Sequence, residues 1–166
     1  MPPSINHWLN QFCAWVDQTP LSQIIQTKAW IVPTVQSVHI LAISVVMASV
    51  LMIDLRLLGV VGRDQSVGRV AARFLPFIWW PLLVLLATGA VMIIGEPARS
   101  LKNNIFQLKV ALIVAAMIVT FAFQMALRKR PAFAAGAGGR DAIAIAVVSL
   151  VLWVGIVCAG RWIAYS

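Results

Sequence analysis

Four long runs of apolar residues, separated by short breaks rich in Gly, Pro and charge, organise this chain. They cover about residues 30–58, 74–95, 104–127 and 142–163. A helix crossing the hydrocarbon core needs about 20 predominantly apolar residues at 1.5 Å rise per residue, and each run supplies them. The last three runs hold few or no charges, which sharpens the signal. The breaks explain themselves. Gly59, Gly62 and Gly68 follow the first run, Gly95-Glu96-Pro97 ends the second, and Pro131 with Gly136, Gly138 and Gly139 separates the last two. Gly favours left-handed backbone and Pro lacks an amide donor, so both stop helices. Short links between consecutive helices predict an up-down arrangement. The pattern therefore predicts an all-α integral membrane protein, with residues 30–166 forming a four-helix up-down bundle.

Residues 1–29 follow another pattern. Trp8, Phe12, Trp15 and Val16 recur at helical spacing, with Asn6, Asn10, Gln11, Asp17 and Gln18 between them. This predicts an N-terminal amphipathic helix lying in the interface, where Trp favours the headgroup level. It serves either to anchor the bundle or to dock a partner. Thr19-Pro20 reads as the N-cap and first residue of a short polar helix carrying Gln23, Gln26 and Thr27, leading to a bend at Pro33. No basic stretch followed by an apolar one opens the chain, so no cleavable signal peptide is expected.

Composition removes the soluble alternative. The 166 residues are 61% hydrophobic and 11% charged, where a soluble domain carries about 25% charged residues. In water, such a chain would expose large apolar patches. The net charge of +8, from 13 Lys+Arg against 5 Asp+Glu, would suggest nucleic acid in a soluble protein. Here the basic residues cluster in links between apolar runs, as they do at a cytoplasmic membrane face, and no nucleic-acid partner is expected. Arg56, Arg63, Arg69, Arg73, Arg128, Lys129, Arg130 and Arg140 fall in the first and third links. The opposite side holds Lys28, Arg99, Lys102 and Arg161. The positive-inside rule then predicts a bacterial inner-membrane protein with both termini in the periplasm. Cys13 and Cys158 fall near one face, so a disulfide is geometrically open, while packing is the plainer use of each.

Ionisable groups inside a span cost about 2.5–3.5 kcal/mol on insertion scales, so each is a functional candidate. His39, preceded by Gln36 and Ser37, stands in the outer half of the first run, and Lys109, near Gln107, in the outer half of the third. At 1.5 Å per residue they lie about 7 Å and about 9 Å outside their midpoints, so a shared layer is expected. Histidine beside a buried lysine suits an anionic or metallic ligand: a haem iron with a propionate, a quinone oxygen, or copper. Gln36, His39, Ile43, Met47, Val50 and Asp54 share one helix face, which should point inward. Thr88 and Gly89 of the second run, with Gly155 and Gly160 of the fourth, allow close approach or room for a flat cofactor. Against this, a lone intramembrane histidine can simply bond a carbonyl, Lys109 can snorkel, and Met47, Met52, Met92, Met117 and Met125 sit at packing positions.

The stretch from Trp30-Ile-Val-Pro-Thr-Val-Gln-Ser-Val-His39 to Asp54-Leu-Arg-Leu-Leu-Gly59 resembles the first core helix of small bacterial membrane proteins related to the HemJ-type protoporphyrinogen oxidases and the CopD copper-resistance proteins. Asn104-Ile-Phe-Gln-Leu-Lys109-Val-Ala-Leu is similar to a later helix start of that group. The resemblance covers about residues 30–127. It implies a four-helix haem bundle in which His39 is an axial ligand to haem b and Lys109 the companion basic residue. The chain has Gly59-Val60-Val61-Gly62 where the HemJ-like pattern has a further histidine, which argues against protoporphyrinogen oxidation. His7, folded over the outer mouth, or Met92 would offer the second axial position, and Arg99 a second contact to propionates.

The leading expectation is a haem b protein passing electrons between quinol and a partner on the outer face. The alternatives are a cofactor-free anchor or accessory subunit, and copper transport through His39 and His7. Copper ranks last because the methionines lie at scattered depths, while copper would want soft ligands in one layer. Lipid covers the remaining apolar surface, or a second copy does. Hydrolytic chemistry lacks its residues: no paired intramembrane carboxylates, no phosphate-binding glycine loop, and only two histidines.

Overall fold

In the computed structural model, which describes residues 3–136 and 139–162, every regular element is a helix. These are α1 (Pro3–Asp17), α2 (Pro20–Thr27), α3 (Ile31–Leu57), α4 (Val67–Phe74), α5 (Pro76–Gly95), α6 (Pro97–Leu101), α7 (Asn104–Lys129), α8 (Pro131–Ala135) and α9 (Gly139–Trp162). Four stretches are long and apolar enough to cross a membrane: α3, Val67–Gly95, α7 and α9. The fold is an all-α bundle of membrane-spanning length, as the apolar runs predict. Gly138 and Ile163, one expected breaker and the expected end of the last run, lie outside the described residues.

Helix boundaries follow local chemistry. Thr19, in extended backbone, accepts from the Ser22 amide at 3.3 Å, and Pro20 takes the first helical position. Asn103 accepts from the amides of Ile105 (2.8 Å) and Phe106 (3.3 Å) to start α7. Three boundaries differ from expectation. The second span begins well before residue 74, because Ser66 caps α4 and Leu75 keeps right-handed helical backbone (φ −57°, ψ −39°) into Pro76. Pro33 makes no bend: it falls in the first turn of α3, where a missing amide hydrogen breaks no helical bond. The break lies before it, at residues 28–30. Gly139 opens α9 instead of stopping a helix.

The long helices are not equivalent. α3 packs on α5 and α9, and α9 packs on α7, whereas α5 and α7 make little or no direct contact. Accordingly, a third of the most apolar window is buried in α3 and in α9 (33% each), against 11% for the α4–α5 stretch and 17% for α7. The central pair carries the core, with Val46, Val50 and Ile53 of α3 against Ala142, Ala146, Trp153 and Ile156 of α9. Outward-facing Leu, Ile and Val on α5, α7 and α9 are left for lipid.

Each end is closed by short helices. At the Arg56 end, α4 contributes Val67 and Ala71 and α8 contributes Phe133, which meets Phe123 edge-on at 6.2 Å. At the Glu96 end, α1 and α2 lie over the end of α5. Ser22, fully buried, donates to the Ile94 carbonyl at 2.7 Å, and Gln26 donates to the Gly95 carbonyl at 3.0 Å. Those carbonyls have no partner within their own helix, so α2 caps α5. Gln26 also donates to Asp17 at 2.6 Å, tying α1 to the same point. The expected amphipathic helix exists, but its aromatic row faces outward. Cys13 and Val16 are buried, while Trp8 and Trp15 are 64% and 66% exposed and stack with Phe12 between them. Cys13 is a buried free thiol and Cys158 an exposed one, so the disulfide left open by the sequence does not form.

Candidate functional site

The site begins with His39, half-buried on α3 one turn inward from Gln36. Its Nδ1 lies 2.6 Å from the Thr88 hydroxyl of α5. That hydroxyl also donates to the Val84 carbonyl at 2.7 Å, as threonine does within a helix. A hydroxyl has one proton to give. With that proton on Val84, the Thr88 oxygen is left to accept from an Nδ1–H of His39. Second-shell bonds of this kind fix the ring of a metal-binding histidine. Gly89 adjoins the ring, since a Cβ there would stand 3.9 Å from Cε1 of His39.

Lys109 approaches from α7. Its stem crosses Gly160 of α9, where a Cβ would stand 3.4 Å from Nζ and 3.5 Å from Cε. The ammonium is within Coulombic reach of His39, and among the described residues no carboxylate pairs with it. The layer of His39, Thr88, Gly89, Lys109 and Gly160 is therefore assembled from four helices. It brings an imidazole and a lysine amine together, a combination suited to a ligand with a donor-seeking centre and a negative group. The glycines of α9 do not leave a slot, however. Leu112 fills the space beside Gly155, and the Lys109 stem fills that beside Gly160. They serve helix approach.

The other candidates are dispersed. Gln36 is exposed, so the polar face of α3 turns inward only from His39 onward. Met92 is half-buried one turn beyond Thr88 on α5. Arg99 is exposed and bound to Glu96 at 3.0 Å. With Lys28 and Lys102 it lines an open cleft of about 950 Å³ beneath α1. His7 is exposed on α1, which packs on α2, α5 and α6; the structure does not bring it to His39. Among the described residues no three His, Cys, Asp or Glu side chains gather as a metal-binding group.

Residues 12–166 match the sequence profile of a family of unknown function, DUF6644. The chain belongs to the DUF6644 family. No curated protein and no solved structure matches it. The DUF6644 match takes in the His39 layer, the four long helices and the α2 clamp, while His7 and Trp8 precede it.

Sequence reasoning left out one polar cluster. Asp54, which the sequence placed on the inward face of α3 without partners, is 3% exposed and lines a small cavity with Ser149 of α9 and Thr120 of α7. The signal was a carboxylate on the same helix face as His39 together with single hydroxyls inside two other runs. Arg56 proves to be no partner for it, because its guanidinium donates to the Gln65 carbonyl at 2.8 Å and 2.5 Å.

Proposed function

We propose that this protein is a haem b-binding membrane protein that passes electrons between quinol and a partner on the outer face of a bacterial inner membrane. The observation that carries the reading is the 2.6 Å contact between His39 and Thr88, which holds the imidazole in one orientation inside a membrane helix. The resemblance of the Trp30–Gly59 stretch to the HemJ and CopD group supports it. In this reading His39 would hold the iron and Lys109 would meet a propionate by a charge-assisted contact. Met92, one turn beyond Thr88 on α5, would offer a further ligand, and Arg99, beside Glu96, a further cation. The haem, when bound, supplies one-electron redox chemistry. The protein's own contribution is to fix the imidazole, place one cation beside it and exclude water with the flanking apolar helices. The eight basic residues at the Arg56 end favour placing that end in the cytoplasm.

Oxidised and dithionite-reduced absorption spectra of detergent-purified protein, beside His39→Ala, test the proposal. A Soret band that the variant loses is the expected result. A featureless spectrum from cells supplied with ample haem overturns it. The outward row of Trp8, Phe12 and Trp15 favours a second reading, a cofactor-free anchor that docks a partner protein at the membrane surface. A colourless protein that co-purifies with such a partner, and loses it on Trp8→Ala and Trp15→Ala substitution, is the outcome for that reading.

A further inference from the structure

We propose that Asp54, Thr120 and Ser149 form a proton-binding site inside the bundle, where the Asp54 carboxyl takes up and releases a proton through one trapped water. Asp54 is 3% exposed, and among the described residues its Oδ2 has no hydrogen-bond partner. Ser149 of α9 brings a hydroxyl to the same place. Beside them lies a cavity of about 20 Å³, lined by Asp54, Thr120 and Ser149 together with apolar side chains that include Val50, Ile78 and Phe123. A buried water needs at least about 10–15 Å³ and two to four polar partners. The cavity meets both conditions. The Thr120 hydroxyl spends its proton on the Ala116 carbonyl at 2.9 Å, so it faces the cavity as an acceptor.

The surroundings select a proton over a metal cation and over an ion pair. No other titratable or charged side chain lines the cavity from α3, α5, α7 or α9. On α4, Arg69 and Arg73 are exposed, and the Pro131–Ala135 sequence of α8 has no charge. Arg56 is engaged with Gln65, and Arg140 and Asp141 at the start of α9 are exposed. An ionised carboxyl would therefore stand with an orphaned oxygen and no counter-charge, a costly state in an apolar interior. A hard cation asks for about six oxygen ligands, and one carboxyl with two hydroxyls falls short. A carboxylic acid satisfies the geometry: its O–H donates to the water, and the water donates to Thr120. Asp54 lies three residues before Leu57, the end of α3, so the aqueous phase at the Arg56 end is one helical turn away. The site shares no residue with the His39 layer, so it stands or falls without the haem proposal.

Infrared difference spectra of proteoliposomes, titrated from acid to alkaline pH, test it. The parent protein should show a protonated-carboxyl band at neutral pH that shifts in heavy water and is lost in Asp54→Asn. Ser149→Ala, which removes one hydroxyl from a packed helix, should shift that band without abolishing it, and it decides the matter if Asp54→Asn does not fold. Identical parent and Asp54→Asn spectra in this region at every pH would overturn the proposal. Removal of the band by sodium at fixed pH would overturn it in favour of a cation site.

Discussion

Gly95 and Ile25 touch so closely that a Cβ at position 95 would stand 2.9 Å from Cγ2 of Ile25. The contact locks α2 against the end of α5, and Cγ2 belongs to a β-branched side chain with little freedom to move aside. Gly95→Ala should therefore destabilise the protein by about 1–3 kcal/mol, the usual range for overpacking. Thermal unfolding in detergent reads this. The pair should be non-additive with Ile25→Ala, since that change removes the colliding atom.

The same clamp depends on two hydrogen bonds to the last carbonyls of α5. Ser22→Ala leaves the Ile94 carbonyl buried without its donor, at a cost of about 1–3 kcal/mol. Loss of Gln26 should cost less, because it also spreads its amide over Asp17 and Ser22. Hydrogen exchange should speed up in residues 20–27 for Ser22→Ala and stay unchanged at the Arg56 end. Equal acceleration at both ends would show that α2 does not act as a local cap.

If His39 is an iron ligand, Thr88 is its positioning residue. Thr88→Val removes the acceptor for Nδ1–H with little change of volume, and should weaken haem binding about 10- to 100-fold, the usual effect of losing such a partner. Thr88→Ser keeps the oxygen and should bind nearly as the parent does. Haem titration followed at the Soret band separates the two. Equal affinities for Thr88→Val and parent would remove Thr88 from the site.

Arg56 holds the loop between α3 and α4 through its fork on the Gln65 carbonyl. The loop turns at Gly59 (φ +70°) and Gly62 (φ +65°), conformations that favour glycine. Arg56→Met keeps much of the apolar stem and removes the donors, so protease cleavage should appear within residues 59–66 while the overall melting temperature shifts little. Resistance equal to the parent would mean that the glycine turns hold the loop unaided.

The long-range layout was legible in the sequence for a simple reason. A membrane-spanning helix satisfies its own backbone and advertises itself by about 20 apolar residues in a row, so the runs near Trp30, Phe74, Asn104 and Ala142 needed no tertiary information. The local cap at Thr19-Pro20 was equally legible, because capping is a contact between residues two or three apart. The membrane environment follows from the same runs and from the scarcity of charge.

Direction and partnership were not legible. Periodicity placed Trp8, Phe12 and Trp15 on one face, but only packing against α5 and α6 shows that this face looks outward while Cys13 looks in. Gln36 shares a helical face with His39, yet no neighbouring helix covers it and it stays exposed. Asp54 was legible as a residue of the inward face, but its partners were not. The helices overrun the bundle by different lengths, so a residue three from the end of α3 meets Thr120, nine from the end of α7, and Ser149, ten into α9. By itself, then, the sequence determined four spans, the Thr19 cap of α2 and the ionisable residues within the spans, since each rests on composition or on neighbours along the chain. Only the tertiary structure decided that His39 bonds Thr88, that Lys109 lies across Gly160 and that Asp54 is sealed from water. Those facts depend on the rotation and offset of one helix against another, which packing fixes.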